Sequence, residues 1–148
     1  MKKMIRAGVL ALALVGASYG MADAYMYGIT DYNPTGYPIV LSEGVHLCYT
    51  GMGGGLYLNE KTVHIIAQEG DVYTISANFI GYNKENGSLT PSSETYKYDT
   101  STHTMYSVHD GRAFEVLPHN DRTAQVTYRA AAKGKQIWSV AMGYEWEW

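Results

Sequence analysis

The chain has 148 residues, with 11 Lys+Arg against 14 Asp+Glu for a net charge of -3, and 14 of its side chains are tyrosine. An acidic chain without a run of Lys or Arg is a poor candidate for nucleic acid, where phosphate neutralisation supplies most of the affinity, and for anionic lipid headgroups by the same argument. Cys48 is the sole cysteine, which excludes an intramolecular disulfide and leaves stability to packing.

The opening MKKMIRAGVLALALVGASYGMADAY places Lys2, Lys3 and Arg6 before an apolar run from Ala7 to about Ser18, and Ala22-Asp23-Ala24 follows as a small-residue cleavage site. That order reads as a secretory signal peptide, residues 1–24, cut after Ala24. The apolar run is shorter than the ~20 residues of a spanning helix, and no later segment is apolar enough to span as one. Cleavage would remove three bases and one acid, leaving 8 Lys+Arg against 13 Asp+Glu and a net charge of -5 on 124 residues. Such a length suits one domain with its own core. The expected location is periplasmic or extracellular, including association with the outer membrane.

Residues 25–44 mix Tyr with Gly, Pro and Asn, hold no period, and read as an irregular lead-in to a single domain over 45–148. From Val45 short apolar runs alternate with turn residues. VHLCYT precedes the glycine cluster 51–55, LYLN precedes Glu60, and TVHIIAQ (62–68) meets DVYTISANFIGYN (71–83) across Glu69-Gly70. Two β-rich runs around a short Gly-containing turn predict a hairpin. In its second arm Tyr73, Ile75, Ala77 and Phe79 alternate with Thr74, Ser76 and Asn78, which predicts a strand with one wet face.

NKENGSLTPSSET reads as a polar loop. Beyond it, Tyr96 and Tyr98 face Met105 and Tyr106 across Asp99-Thr100-Ser101-Thr102, whose short polar side chains favour a turn. Asp110-Gly111 marks a further turn before RAFEVLP. The closing AAAKGKQIWSVAMGYEWEW supports two patterns. Trp138, Val140, Met142, Tyr144, Trp146 and Trp148 alternate as on a strand, whereas Ala130-Ala131-Ala132 and the stripe Ile137, Val140, Ala141 and Tyr144, with Gln136, Ser139 and Gly143 opposite, predict a helix near 131–144. Gly134 and Gly143 each cost that helix about 1 kcal/mol relative to alanine.

Chemistry is sparse. The cluster Gly51-Met52-Gly53-Gly54-Gly55 lacks the Gly-Lys-Ser/Thr and following helix of a phosphate loop, so a bulged turn is the better reading. His46, His64, His103, His109 and His119 match no helical i, i+4 ligand pair, although His103 and His109 across a hairpin, with His119 nearby, would be the natural group to converge. Asp31, Asn33, Asp99, Asp110 and Asp121 never fall into a calcium-loop spacing. Neither Ser76 nor Ser139 sits in a nucleophile motif, Glu94 and Asp99 read as solvated acids, and Asn86-Gly87-Ser88 fits a glycosylation acceptor that a turn already explains. No catalytic, cofactor-binding or metal-binding residue is assigned, and no cofactor is expected.

YKYDTSTHTMY, preceded by LYLNEKTVHIIAQEGDVYTISANFIGYN, resembles small secreted proteins of unknown function from diderm Firmicutes. The matching stretches are Leu56 to Asn59, Thr62 to Ile65, Tyr73 to Ala77, Tyr96 to Asp99 with Met105-Tyr106, and the Ala-rich segment from Ala130 to Tyr144. The chain departs from that group in carrying Phe114 where they tend to have Trp, and in its Glu145-Trp146-Glu147-Trp148 ending. The resemblance implies a fold and a compartment, and no mechanism.

These readings predict an α+β domain: an antiparallel sheet of about five to seven short strands with one C-terminal helix packed on it, followed by an aromatic tail clamped onto the sheet or a partner. The expected role is a non-catalytic binding or structural module of the bacterial envelope, with an envelope protein or a glycan as partner. Two alternatives stand beside it. One is a small outer-membrane β-barrel closed by residues 137–148; the other is a small hydrolase or metal-dependent enzyme.

Overall fold

The computed structural model describes residues 36–51, 54–118 and 125–148, with side chains from 128 onward in the last stretch. Among these residues seven strands, β1 (Val40–Ser42), β2 (Val45–Gly51), β3 (Gly54–Glu69), β4 (Val72–Asn83), β5 (Ser88–Asp99), β6 (Thr104–His109) and β7 (Arg112–Val116), precede one helix, α1 (Gln125–Met142). The strands lie in chain order in one open antiparallel sheet. The fold class, an antiparallel sheet with one C-terminal helix, therefore agrees with the sequence pattern. β1 and β7 form the two edges, residues 137–142 lie in α1 and residues 143–148 are in no strand, so the segment that would close the barrel alternative is not a strand here.

Turn chemistry sets this meander. Asp110 and Gly111 both take positive φ, 52° and 76°, and join β6 to β7 by a two-residue turn of the kind that matches strand twist. Between β5 and β6, Asp99 Oδ1 accepts from Ser101 N and Oγ and from Thr102 N, at 2.9, 2.6 and 3.3 Å. These bonds, the Ser101 hydroxyl foremost, hold the Asp99 carboxyl below its ordinary range.

Several elements differ from the sequence reading. β1 and the bridge at Pro38 fall inside the lead-in, where Leu47 N donates to Ile39 O at 2.8 Å. LYLN and TVHIIAQ are one 16-residue strand, β3, and LTPSSET belongs to the 12-residue β5. Pro91 is tolerated there because β6 pairs with β5 only from Thr95 to Asp99, so residues 88–94 form an edge on that side and no ladder bond is lost. The strands at the centre of the sheet are therefore longer than the short strands anticipated.

One face of the sheet carries the main core. Leu58, Ile75, Phe79, Tyr96, Tyr98 and Met105 are buried beneath Ala131, Ile137 and Trp138 of α1. The helix starts earlier than Ala131, with Tyr128 packed edge-on against Tyr49 at 5.3 Å. It stops at Met142 because Gly143, at φ 86°, turns left-handed and donates its N–H to Ser139 O at 2.9 Å. The buried stripe runs through Ala131, Gly134, Ile137 and Trp138 with Val140 and Ala141 beside it, so Ile137, Val140 and Ala141 lie where the pattern put them while Gln136 is buried and Tyr144 is 60% exposed, the reverse of the expectation for those two. Beyond the helix the tail lies on the sheet. Trp146 is buried 5.0 Å from Trp138 and 5.4 Å from Tyr98, Trp148 Nε1 donates to Val116 O, and the His103 ring nitrogen meets Glu147 O at 3.2 Å.

Three buried titratable groups tie α1 to the sheet in their neutral forms. Tyr96 and Tyr98 donate to Ala130 O and Gly134 O at 2.8 and 2.7 Å, and Cys48 Sγ contacts Ala132 O at 3.5 Å. Burial pushes the Cys48 thiol from 9.0 up to about 12, against the opposing pull of Lys133 and Arg129. Burial also pushes both phenols well above their ordinary 10.0. Each folded-state value exceeds its unfolded one, so the unfolded chain releases these protons first. The stability they contribute is complete below pH 9 and is lost as pH climbs through about 9 to 12 and beyond. The expected result is a melting temperature that falls steeply above about pH 9, with the last tyrosinate absorbance appearing together with unfolding. Full tyrosinate formation in a protein that stays folded would contradict it.

Candidate functional site

The residues singled out by type are dispersed. His46 is buried with Nδ1 2.8 Å from Glu60 Oε2, a pair on the helix-covered face. His103 and His109 stand at opposite ends of β6, and His119 lies outside the described residues, as do Asp31, Asn33 and Asp121. Among the described residues no three His, Cys, Asp or Glu side chains come together as a metal would need. Glu94 pairs with Lys133 of α1 at 3.0 Å, while Asp99 serves its turn five residues along β5, about 16 Å away. The two acids do not share a site. Gly51 pairs with Gly54, and the glycine cluster leads straight into β3, where a phosphate loop would need a helix. Asn86 caps the β4–β5 turn by accepting from Ser88 N at 2.9 Å.

The informative surface is the sheet face turned away from α1. At one end it is covered by a small cluster of Tyr37, Val45, Leu47 and Tyr57, with Ile80 and Tyr82 against it. Further along, register places polar side chains on successive rungs: Asn59, Asn78 and Ser93; then His64, Ser76, Thr95 and Val108; then Ala67, Thr74, Lys97, Tyr106 and Glu115. Each rung follows from alternation, because the intervening Ala77, Phe79, Tyr96 and Tyr98 point into the helix-side core. None of these rung side chains is buried, so among the described residues this face lies open.

Between the first two rungs the β3–β4 ladder breaks. Asn59 pairs with Asn78 and His64 with Ser76, so four residues of β3 stand against Ala77 alone. Glu60 and Lys61 carry the slack toward the β1–β2 turn: Glu60 N donates to Gly44 O at 2.7 Å and Lys61 Nζ lies 3.6 Å from Glu43. Thr62 then closes the gap, its Oγ1 donating to Asn59 O at 2.7 Å and accepting from Asn78 N at 2.8 Å. Bulges of this kind bend a strand and re-aim its side chains, and they are over-represented beside functional sites. Here the bulge borders a hollow of about 340 Å³ whose lining includes Asn59, Asn78, Ile80, Pro91, Ser92 and Ser93.

The same face holds a pairing that sequence motifs did not flag. His64 Nδ1 lies 2.9 Å from Thr62 O, which orients the ring so that Nε2 meets Ser76 Oγ at 3.3 Å. A serine hydrogen-bonded to an oriented histidine is the start of a nucleophile–base pair. Acyl transfer also needs N–H donors aimed at a developing oxyanion. Ser76 sits in mid-strand with ladder partners on both sides, His64 and Thr95, where the sheet takes up the backbone donors. The pair therefore fits a hydrogen-bonding surface better than a hydrolytic centre.

Comparison with protein-family models, curated proteins and solved structures finds no match.

Proposed function

We propose that this chain is an exported, non-catalytic binding module of the bacterial cell envelope, and that the helix-free sheet face is its binding surface. The observation that carries the reading is the asymmetry of the sheet. One face is sealed by α1 and by Trp146, whereas the other presents in-register rungs of Asn, Ser, Thr, His and Tyr side chains with a bulge and a hollow among them. Polar rungs with few apolar side chains are costly to bury in a core and suit a partner that supplies hydrogen bonds. The basic, apolar and small-residue order of residues 1–24 supports export. The resemblance to small secreted proteins of diderm Firmicutes points to the same compartment.

Fractionation of cells expressing the full chain tests this reading. The expected outcome is recovery in the periplasm or the medium, with an intact mass that lacks residues 1–24. Recovery in the outer membrane with heat-dependent gel mobility would favour the barrel alternative, and retention of the uncleaved chain in the cytoplasm would remove the export on which the proposal depends. No described helix is long and apolar enough to cross a membrane.

A further inference from the structure

We propose that the hollow beside the β3 bulge is a subsite for one uncharged sugar ring of a glycan, an assignment that rests on the binding-module reading and narrows its ligand class. Three features of the hollow converge on it. The first is donor chemistry. Asn59 Oδ1 accepts from Lys61 N at 3.2 Å and Asn78 Oδ1 accepts from Ser93 Oγ at 2.9 Å, so the fold spends the amide oxygens and leaves both Nδ2 groups without a partner among the described residues. Each Nδ2 carries two N–H donors, and the Ser93 hydroxyl on the same rung, which donates to Asn78 Oδ1, can still accept. Neighbouring hydroxyls on a sugar ring are ligands of matching reach and type.

The second feature is the apolar side. Ile80 and Pro91 pair on the adjacent rung, both on this face, and border the amides. A sugar ring has C–H groups as well as hydroxyls, and a surface with amides on one side and an aliphatic pair on the other meets both. Pro91 has a further consequence here. With no N–H to offer and no β6 partner at its level, it keeps the outer edge of β5 from recruiting another strand.

The third feature is charge. Among the described residues no ionisable side chain lines the hollow. The two charges of the bulge are directed elsewhere, Glu60 to His46 and Lys61 to Glu43. Lys97, on the same face, lies two rungs from Asn78. A phosphate, carboxylate or sulfate would find no cation here and would enter an acidic protein. A protein partner is disfavoured by size, because about 340 Å³ lies at the small end of the roughly 300–1,000 Å³ typical of ligand pockets and has few large apolar anchors. The neighbouring rung, with Ser76, Thr95 and His64, offers further hydroxyl and imidazole groups to an adjoining ring.

The test is a nuclear magnetic resonance titration of the ¹⁵N-labelled full chain with chitotetraose, cellotetraose and maltotetraose in turn, and with tetragalacturonate as an anionic counterpart. At least one neutral tetrasaccharide is expected to shift the side-chain amide resonances of Asn59 and Asn78 at millimolar concentration, with tetragalacturonate weaker. Asn78→Ala and Ser93→Ala, both at exposed positions, are expected to weaken that binding about tenfold, while Lys135→Ala, at an exposed position of α1 on the opposite side of the sheet, leaves it unchanged. If Asn78→Ala loses the dispersed spectrum of the folded chain, Ser93→Ala alone decides. Silence of both amides toward all three neutral sugars overturns the proposal, as does tighter binding of tetragalacturonate that Lys97→Ala abolishes. Fractionation separates this failure from that of its parent reading: an exported chain with silent amides keeps the module and loses the sugar subsite, whereas cytoplasmic retention removes the module whatever the amides do.

Discussion

Trp138→Ala is expected to lower the unfolding free energy by about 3–5 kcal/mol, the range for deleting a large buried ring, and so to remove a large share of the stability of a domain whose total is of order 5–15 kcal/mol. Trp138 is 1% exposed and stands where the three parts of the structure meet. Its indole lies 5.7 Å from Tyr73 on β4, 4.9 Å from Tyr98 on β5, 5.0 Å from Trp146 of the tail and 5.8 Å from Tyr144. Truncation leaves a cavity that rigid strands cannot fill, and it takes away the ring against which Trp146 holds the tail. Trp138 Nε1 has no hydrogen-bond partner among the described residues, so Trp138→Phe loses no internal hydrogen bond and is expected to cost less than half as much. Urea midpoints compared at constant m measure both. A loss under about 1 kcal/mol for the alanine variant would mean that α1 is not seated on the sheet as described.

Much of this architecture was legible because its cues are local. Asp99 to Thr102 and Asp110-Gly111 announce turns by their side-chain chemistry, the turn read at Glu69-Gly70 falls one residue later on Gly70-Asp71, and the alternation from Tyr73 to Phe79 announces a strand with one wet face. The helix was legible from Ala130-Ala131-Ala132, and this separates the two patterns in the closing residues: the alternating tryptophans are a helix residue, Trp138, followed by a tail that folds back. What was hidden depends on partners distant in sequence. Pro91 looked like a loop because a strand tolerates proline only where a neighbour is missing, and where β6 stops cannot be read from β5. Gln136 looked solvent-facing because the helix stripe was drawn around Tyr144 instead of Trp138. The candidate site is more hidden still. Asn59, Asn78 and Ser93 belong to three strands and become one rung only through register, and the bulge that opens the hollow showed in the sequence merely as an interruption at Glu60 between two apolar runs.

Gly134→Leu is expected to abolish the native fold, and Gly134→Ala to destabilise it even though alanine is the better helix former. Propensity alone gives the opposite sign for the alanine variant, a gain of about 1 kcal/mol in a helix interior. The structure supplies the opposing effect. A Cβ at position 134 would overlap Met105 Sδ and would lie 2.8 and 2.9 Å from two ring carbons of Tyr96. Both neighbours are fully buried and cannot swing aside without displacing the rest of the core. The backbone of α1 comes this close because Tyr98 donates to Gly134 O at 2.7 Å from beneath, next to Tyr96 reaching Ala130 O one turn earlier. Relief would require the helix to lift, which lengthens both bonds and strands two phenols in an apolar setting, at about 1–3 kcal/mol for each unsatisfied group. Overpacking of a close-fitted core adds about 1–3 kcal/mol, so steric cost outweighs propensity and the alanine variant should melt lower by several degrees. A rise in melting temperature for Gly134→Ala would show that α1 rides higher on the sheet than this packing requires.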